Sequence, residues 1–133
     1  MNFNNFTIKS QEAVQEAVNL VQSRGQQAIE PEHLMAGLLK VGENVTNFIF
    51  QKLGINGQQI ETVLDRQIAS LPKVSGGEAY LSRSANEVLQ KALEVSKELG
   101  DEYVSLEALL LALLNVKSTV ATILKDAGLT DKE

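Results

Sequence analysis

The chain has 133 residues, 17 acidic and 12 basic side chains, a net charge of −5, one histidine and no cysteine. This length suits one domain whose core needs neither a metal nor a disulfide. The absence of cysteine excludes disulfides, thiolate nucleophiles and Cys-ligated metals, and it is compatible with the cytoplasmic location that we predict. The acidic balance gives no electrostatic reason to bind nucleic acid or an anionic membrane.

The first half of the chain is predicted to form four helices. Thr7 is a candidate N-cap, and apolar residues three and four positions apart follow it until Gly25 ends the helix. Pro31 begins the second helix, because its missing N–H costs nothing at the first helical position. A third helix is predicted over about 45–53 and a fourth over 56–71.

The second half repeats this plan after a linker. Residues 73–80 are polar and glycine-rich, which favours an irregular connection. Helices are then predicted over about 82–99, 105–114 and 118–127, and the first two begin at a serine suited to the cap position. Strand signals are weak, since aromatic residues are few and no stretch alternates cleanly. The predicted fold class is therefore all-α.

An internal repeat underlies this plan. When the chain is moved by 75 positions, residues 7–39 align with 82–114 without a gap, and seven of the 33 pairs are identical. After one deletion the offset becomes 74, and residues 54–56 align with 128–130.

The alignment also gives the expected limits of the two repeats. We assign repeat one to 1–72, the linker to 73–80 and repeat two to 81–133. The last four residues, 130–133, read as a Ser/Thr-x-x-Glu capping box and align with the start of the fourth helix, so the second repeat is expected to lack its last helix. The alternative is a naturally shorter second repeat.

Three stretches of the chain resemble the Clp N-terminal domain family. The first is Phe6-Thr7 followed by an alanine-rich amphipathic helix, Gly25 and the run Ile-Glu-Pro-Glu-His-Leu-Met at 29–35. The second is the linker sequence from 71 to 82, and the third is Gly-Asp-Glu-Tyr-Val-Ser-Leu-Glu at 100–107 with the leucine-rich run after it. The resemblance therefore covers essentially the whole chain.

One difference places the chain within the family. Members associated with proteases usually carry Gly-Thr-Glu-His at the start of both second helices. Here these positions read Glu-Pro-Glu-His at 30–33 and Ser-Leu-Glu-Ala at 105–108, which favours the branch of bacterial protein disaggregases.

The resemblance implies a single all-α domain made of two four-helix repeats related by a pseudo-twofold axis. It implies attachment to a hexameric AAA+ machine, to whose pore the domain passes unfolded or aggregated polypeptide. ATP and Mg²⁺ are expected as cofactors of the parent protein. They are not expected here, because this chain has no Gly-x-x-x-x-Gly-Lys-Ser/Thr phosphate loop. The isolated domain is expected to be a monomeric binding module and not an enzyme.

A receptor for unfolded chain needs a shallow apolar groove with a few polar groups at its edge. The resemblance places that edge at Thr7, Asp101 and Glu107, with an apolar floor of Ala13, Val95 and Ala108. Lys91 stands where a member can carry an apolar residue, which limits the floor.

Each of these positions also has a purely structural interpretation. Thr7 suits a helix cap, Asp101 a turn residue and Glu107 a carboxylate at the positive end of a helix dipole. The apolar edge can equally be consumed by packing between the repeats.

The acidic residues and the histidine suggest two further roles. The repeat-equivalent pair Glu32 and Glu107 resembles carboxylates that recognise phosphoarginine in a protease-associated relative, so an adaptor- or phosphoarginine-docking domain is the alternative function. His33 follows Glu32, yet no recognisable nucleophile motif accompanies it. DNA binding by a helix-turn-helix is disfavoured because the basic residues are scattered and the net charge is negative.

Overall fold

The computed structural model describes residues 3–74 and 76–130, which form seven helices and two very short strands. In chain order these are α1 (Ile8–Ser23), β1 (Ala28–Ile29), α2 (Pro31–Val41), α3 (Glu43–Leu53), α4 (Gly57–Ser70), β2 (Tyr80–Leu81), α5 (Arg83–Glu98), α6 (Leu106–Asn115) and α7 (Thr119–Asp126). The all-α prediction is confirmed, and the predicted helix bounds hold to within two residues. The capping box predicted at 130–133, and with it the prediction that repeat two lacks its last helix, depends on residues 131–133, which lie outside the described range.

Two short backbone pairings join the halves of the chain. Ile29 of β1 pairs in parallel with Leu81 of β2, and Phe6 forms a parallel bridge with Val104. These pairings were not predicted, because one or two residues are too few to show the alternation that identifies a strand.

The pairings are related by the same offset as the sequence repeat. Adding 75 to the residue number takes Phe6 to Leu81 and Ile29 to Val104. The repeat-equivalent of the Phe6–Val104 pairing is therefore the pairing of Leu81 with Ile29. The Thr7 N–H donates to the Val104 carbonyl at 3.0 Å, and the equivalent Ser82 N–H donates to the Ile29 carbonyl at 3.0 Å. Such an exchange is what a pseudo-twofold axis between the two halves produces.

The core is centred on α2, which packs against α1, α4, α6 and α7. The contact with α1 is very close, because Gly37 of α2 faces the backbone of Ala13 and Ala17. The largest fully buried side chains are Phe6, Leu34, Met35, Leu38, Ile60, Leu64, Ile68, Leu89, Leu109, Leu113, Leu114 and Leu124. Because this set draws on both halves, one shared core holds the two repeats together.

Candidate functional site

Thr7 directly precedes α1 and is half-buried beside the second half of the chain. Its Oγ1 accepts a hydrogen bond from the Ser10 N–H at 3.1 Å and donates to the Ser10 hydroxyl at 2.9 Å. This confirms its role as the cap of α1. Since its own N–H donates to Val104, the Thr7 backbone lies against the segment that leads into α6. Contact with a ligand remains a prediction for this residue.

Asp101 lies on the same segment and presents its carboxylate to solvent. Gly100 follows α5 with a φ of 76°, and the Asp101 N–H then donates to the Ser96 carbonyl at 2.9 Å. The turn interpretation of Asp101 is thus confirmed for its backbone. Its exposed carboxylate makes no hydrogen bond or ion pair with the described residues, so it is available to a ligand.

Three large apolar side chains within two positions of these residues in the sequence are exposed. Ile8 is 75% exposed, Leu99 51% and Tyr103 48%. We call Thr7, Ile8, Leu99, Asp101 and Tyr103 the Thr7 surface. Ile8 and Tyr103 were not predicted from the sequence, because neither belongs to the apolar repeat of a helix. Each stands beside a residue that pairs with the other half, and that placement becomes visible only in the fold.

The predicted apolar floor is part of the core. Ala13 and Ala108 have no exposed surface and Val95 is 5% exposed, so these side chains do not line an open groove in this structure. The reason is close helix packing: α1 lies directly on α2, and α5 lies along α6. The predicted apolar floor is therefore consumed by packing, whereas Leu99, directly after α5, stays exposed.

Glu107 lies on a different part of the surface, facing α3. It is exposed at the second position of α6 and lines two neighbouring cavities, one of about 110 Å³ and one of about 530 Å³. The smaller cavity is lined by Ile49, Glu107, Leu110, Leu111, Leu114, Leu129 and Thr130, and the larger by Asn44, Val45, Phe48, Ile49 and Glu107. Neither includes Thr7 or Asp101, so the predicted polar edge is divided between two surfaces.

The repeat-equivalent carboxylates Glu32 and Glu107 have unlike surroundings. Glu32 is only 7% exposed, and burial raises its pKa above the usual value, helped by the nearby Glu30 and opposed by a hydrogen bond from its own backbone N–H. Glu107 is exposed, and Glu32 lines neither of the Glu107 cavities. The two carboxylates therefore do not meet in either of these cavities.

His33 is fully buried in a hydrogen-bond network. Its Nδ1 accepts from the Glu30 N–H at 2.9 Å, and its Nε2–H donates to the Gln26 Oε1 at 2.7 Å. The Gln26 amide in turn donates to the Ile68 carbonyl at 2.7 Å, near the end of α4. Burial, and then the charge of Arg24, lowers the pKa of His33 to about 4. This neutral histidine holds two helix ends together, as expected for a packed residue.

Within residues 3–74 and 76–130, no single helix is long and apolar enough to cross a membrane, and only α6 and α7 together, bent by 99°, reach such a length and composition. Among these residues, no three His, Cys, Asp or Glu side chains are placed to hold a metal ion.

A family model described as "Clp repeat (R) N-terminal domain" matches residues 5–127. Chaperone protein ClpB of Bacteroides thetaiotaomicron is 80% identical over 133 residues, and ClpB of Porphyromonas gingivalis is 51% identical over 132. These matches cover 100% and 99% of this chain but 15% of each relative. The chain thus corresponds to a small part of those relatives.

Solved structures show the same fold at low sequence identity. The N-terminal domain of Hsp104 from Candida albicans has a TM-score of 0.84 at 22% identity, covering 96% of this chain and 84% of that one. The N-terminal domain of the ClpV1 ATPase from E. coli has a TM-score of 0.84 at 22% identity, covering 98% and 81%. A ClpV N-domain in complex with a VipB peptide has a TM-score of 0.76 at 20% identity, covering 95% and 81%.

Proposed function

Since the chain belongs to the Clp repeat N-terminal domain family and is similar to part of the chaperone ClpB, we propose that it is the substrate-docking module of an ATP-dependent protein disaggregase. Its ligand is unfolded or aggregated polypeptide. The observation that carries the proposal is the Thr7 surface, where an unpaired carboxylate lies among exposed apolar side chains. ATP hydrolysis, with its ATP and Mg²⁺, belongs in this proposal to other modules of a cytoplasmic, hexameric parent.

The chemistry of the Thr7 surface matches that of an unfolded chain. Such a chain presents apolar side chains together with backbone N–H groups that have lost their partners. Ile8, Leu99 and Tyr103 offer apolar contact area, and the Asp101 carboxylate accepts hydrogen bonds from N–H groups. A shallow surface without a deep pocket holds any one segment weakly. Several copies on one ring would compensate through effective concentration.

The proposal is tested by titrating an isotope-labelled sample of this domain with an unfolded protein and following the amide signals. Shifts are expected to cluster at the five residues of the Thr7 surface. Asp101→Asn is expected to weaken binding about fivefold, because an exposed charge-assisted contact contributes about 1 kcal/mol. Asp65→Asn on α4 removes a carboxylate from another exposed position and serves as the matched control.

The control for folding is Thr7→Ser, which keeps the oxygen that caps α1 and removes only a methyl group. We expect it to leave the unfolding midpoint nearly unchanged. Shifts that appear elsewhere on the domain would relocate the site, and an absence of shifts at high ligand concentration would refute the proposed function.

The adaptor- or phosphoarginine-docking alternative makes a separate prediction. Because Glu32 is buried away from the cavities that Glu107 lines, we expect free phosphoarginine at millimolar concentration to cause no saturable shifts. Saturable binding that disappears in both Glu32→Ala and Glu107→Ala would instead establish the alternative. Capture of one small folded protein, in preference to many unfolded chains, would favour an adaptor.

A further inference from the structure

Helix α3 carries an apolar patch that its counterpart in the second repeat lacks. At the offset of 74, α3 aligns with α7, and two buried positions agree: Thr46 and Phe50 correspond to Val120 and Leu124. A third position differs, because Ala121 is buried in α7 whereas its counterpart Asn47 is exposed. The outward positions differ in chemistry. Phe48, which is 67% exposed, corresponds to Thr122, and Val45 corresponds to Thr119. An apolar side chain thus occupies each outward position where the equivalent helix has threonine.

The exposure of this patch does not depend on whether another helix packs beside α3. Helix α7 is packed against both α2 and α4, yet its Thr119 and Thr122 remain exposed. A helix placed against α3 in the way that α4 lies against α7 would therefore leave the positions of Val45 and Phe48 open to solvent. Val45 and Phe48 line one cavity together with Ile49, so they form a contiguous apolar patch, and a patch of this kind is a candidate for binding.

The patch is bordered by charges of both signs. Glu107 of α6 lines the same cavity as Val45, Phe48 and Ile49, and its carboxylate has no ion pair or hydrogen bond among the described residues. On the other side, the Lys52 Nζ lies 5.9 Å from the centre of the Phe48 ring. The Phe48 ring therefore makes a cation–π contact with Lys52.

We propose that Val45, Phe48, Ile49 and Glu107, the α3 patch, form a second docking subsite for unfolded polypeptide, which prefers segments that carry an apolar residue next to a lysine or arginine. The apolar residue fills the cavity beside Phe48, and the basic residue pairs with the Glu107 carboxylate. This inference rests on the proposed function. It adds a separate site, with its own sequence preference, to the Thr7 surface.

Phe48→Thr is the variant that tests the patch, because threonine stands at the equivalent position of α7 and suits an exposed helical site there. Three twelve-residue unstructured peptides are compared, identical except for arginine, glutamine or glutamate beside a leucine-phenylalanine pair. With this chain, we expect the arginine peptide to bind about tenfold more tightly than the glutamate peptide and to shift signals of Val45, Phe48 and Glu107.

Each substitution then has its own expected effect. Phe48→Thr weakens all three peptides at the patch, whereas Glu107→Gln removes the preference for arginine and leaves binding of the glutamine peptide unchanged. Ile8→Thr, on the Thr7 surface, is the matched control, and it leaves the patch signals unaffected.

The outcomes separate this inference from the proposed function. If the peptides shift only the Thr7 surface and both variants bind as the parent chain does, the second subsite is refuted while the proposed function stands. If no unfolded peptide or protein binds anywhere, the proposed function fails. A concentration-dependent dimer, detected by sedimentation and abolished by Phe48→Thr, would show that the patch binds a second copy of the chain and would overturn the inference.

Discussion

Replacement of Gly37 by alanine is expected to destabilise the domain by about 2 kcal/mol. A Cβ atom at this position would overlap the Ala13 carbonyl oxygen and lie 3.2 Å from the Ala17 backbone nitrogen, so α1 would have to move away from α2. Overpacking of this kind costs about 3 kcal/mol, and the better helix propensity of alanine offsets about 1 kcal/mol. Urea unfolding at neutral pH measures the difference.

Gly57→Ala is the matched control for this prediction. Gly57 begins α4, and a Cβ there would meet only the ring of Phe50, a side chain that can adjust. Its effect on the free energy of unfolding should stay within about 1 kcal/mol. If Gly37→Ala proved as mild as Gly57→Ala, the close α1–α2 contact would not be the rigid element that the structure indicates.

The second large effect is a loss of stability on acidification through His33. Its pKa is about 4 in the folded chain and about 6.5 when unfolded, so between these values the unfolded state binds more protons. The contribution of His33 is therefore complete above pH 6.5 and falls as the pH approaches 4. Each pKa unit corresponds to about 1.4 kcal/mol, so complete protonation of His33 should lower the free energy of unfolding by about 3 kcal/mol. We expect about 1 kcal/mol of this loss between pH 7 and pH 5.5.

Glu32 acts in the opposite direction at the acidic end of this range. Its raised pKa means that the folded state binds more protons than the unfolded state just above pH 4.5, so it favours folding as the pH falls there. Measurements between pH 7 and pH 5.5 therefore report His33 most directly. In His33→Gln, the slope of stability against pH should flatten over that interval.

A direct measurement is available because His33 is the one histidine in the chain. Its ring signals in an NMR titration should show no protonation above pH 5 while the protein stays folded. Ring protonation near pH 6.5 in the folded state would contradict the buried network of His33, Gln26 and the end of α4.

The helix ends could be predicted from sequence because their chemistry is local. Ser82, Ser105 and Ser118 each accept from an N–H three residues ahead, and the glycine that ends α5 has the positive φ that glycine permits. The pseudo-twofold relation was likewise implied by a resemblance that rests on short local motifs.

The interior surfaces could not be predicted in the same way. Whether a small residue such as Ala13 lies in a groove or in the core depends on how closely another helix approaches, and that distance is set by Gly37, 24 positions along the chain. The hydrogen bond from Gln26 to Ile68 spans 42 positions and has no local signature. By contrast, the α3 patch can be recognised in the sequence. When α3 is aligned with α7 at the offset of 74, Val45 and Phe48 stand where α7 has Thr119 and Thr122.

The exchanged pairings of Phe6 with Val104 and Ile29 with Leu81 have a consequence for how the domain is assembled. Each of the two pairings joins one residue of the first half to one residue of the second half, so neither half can form its backbone pairings alone. This is the isologous geometry of a symmetric homodimer whose two subunits have been joined end to end by residues 73–80. A chain cut between Gly76 and Gly77 should accordingly yield two fragments that are unfolded apart and recover the helical fold when mixed.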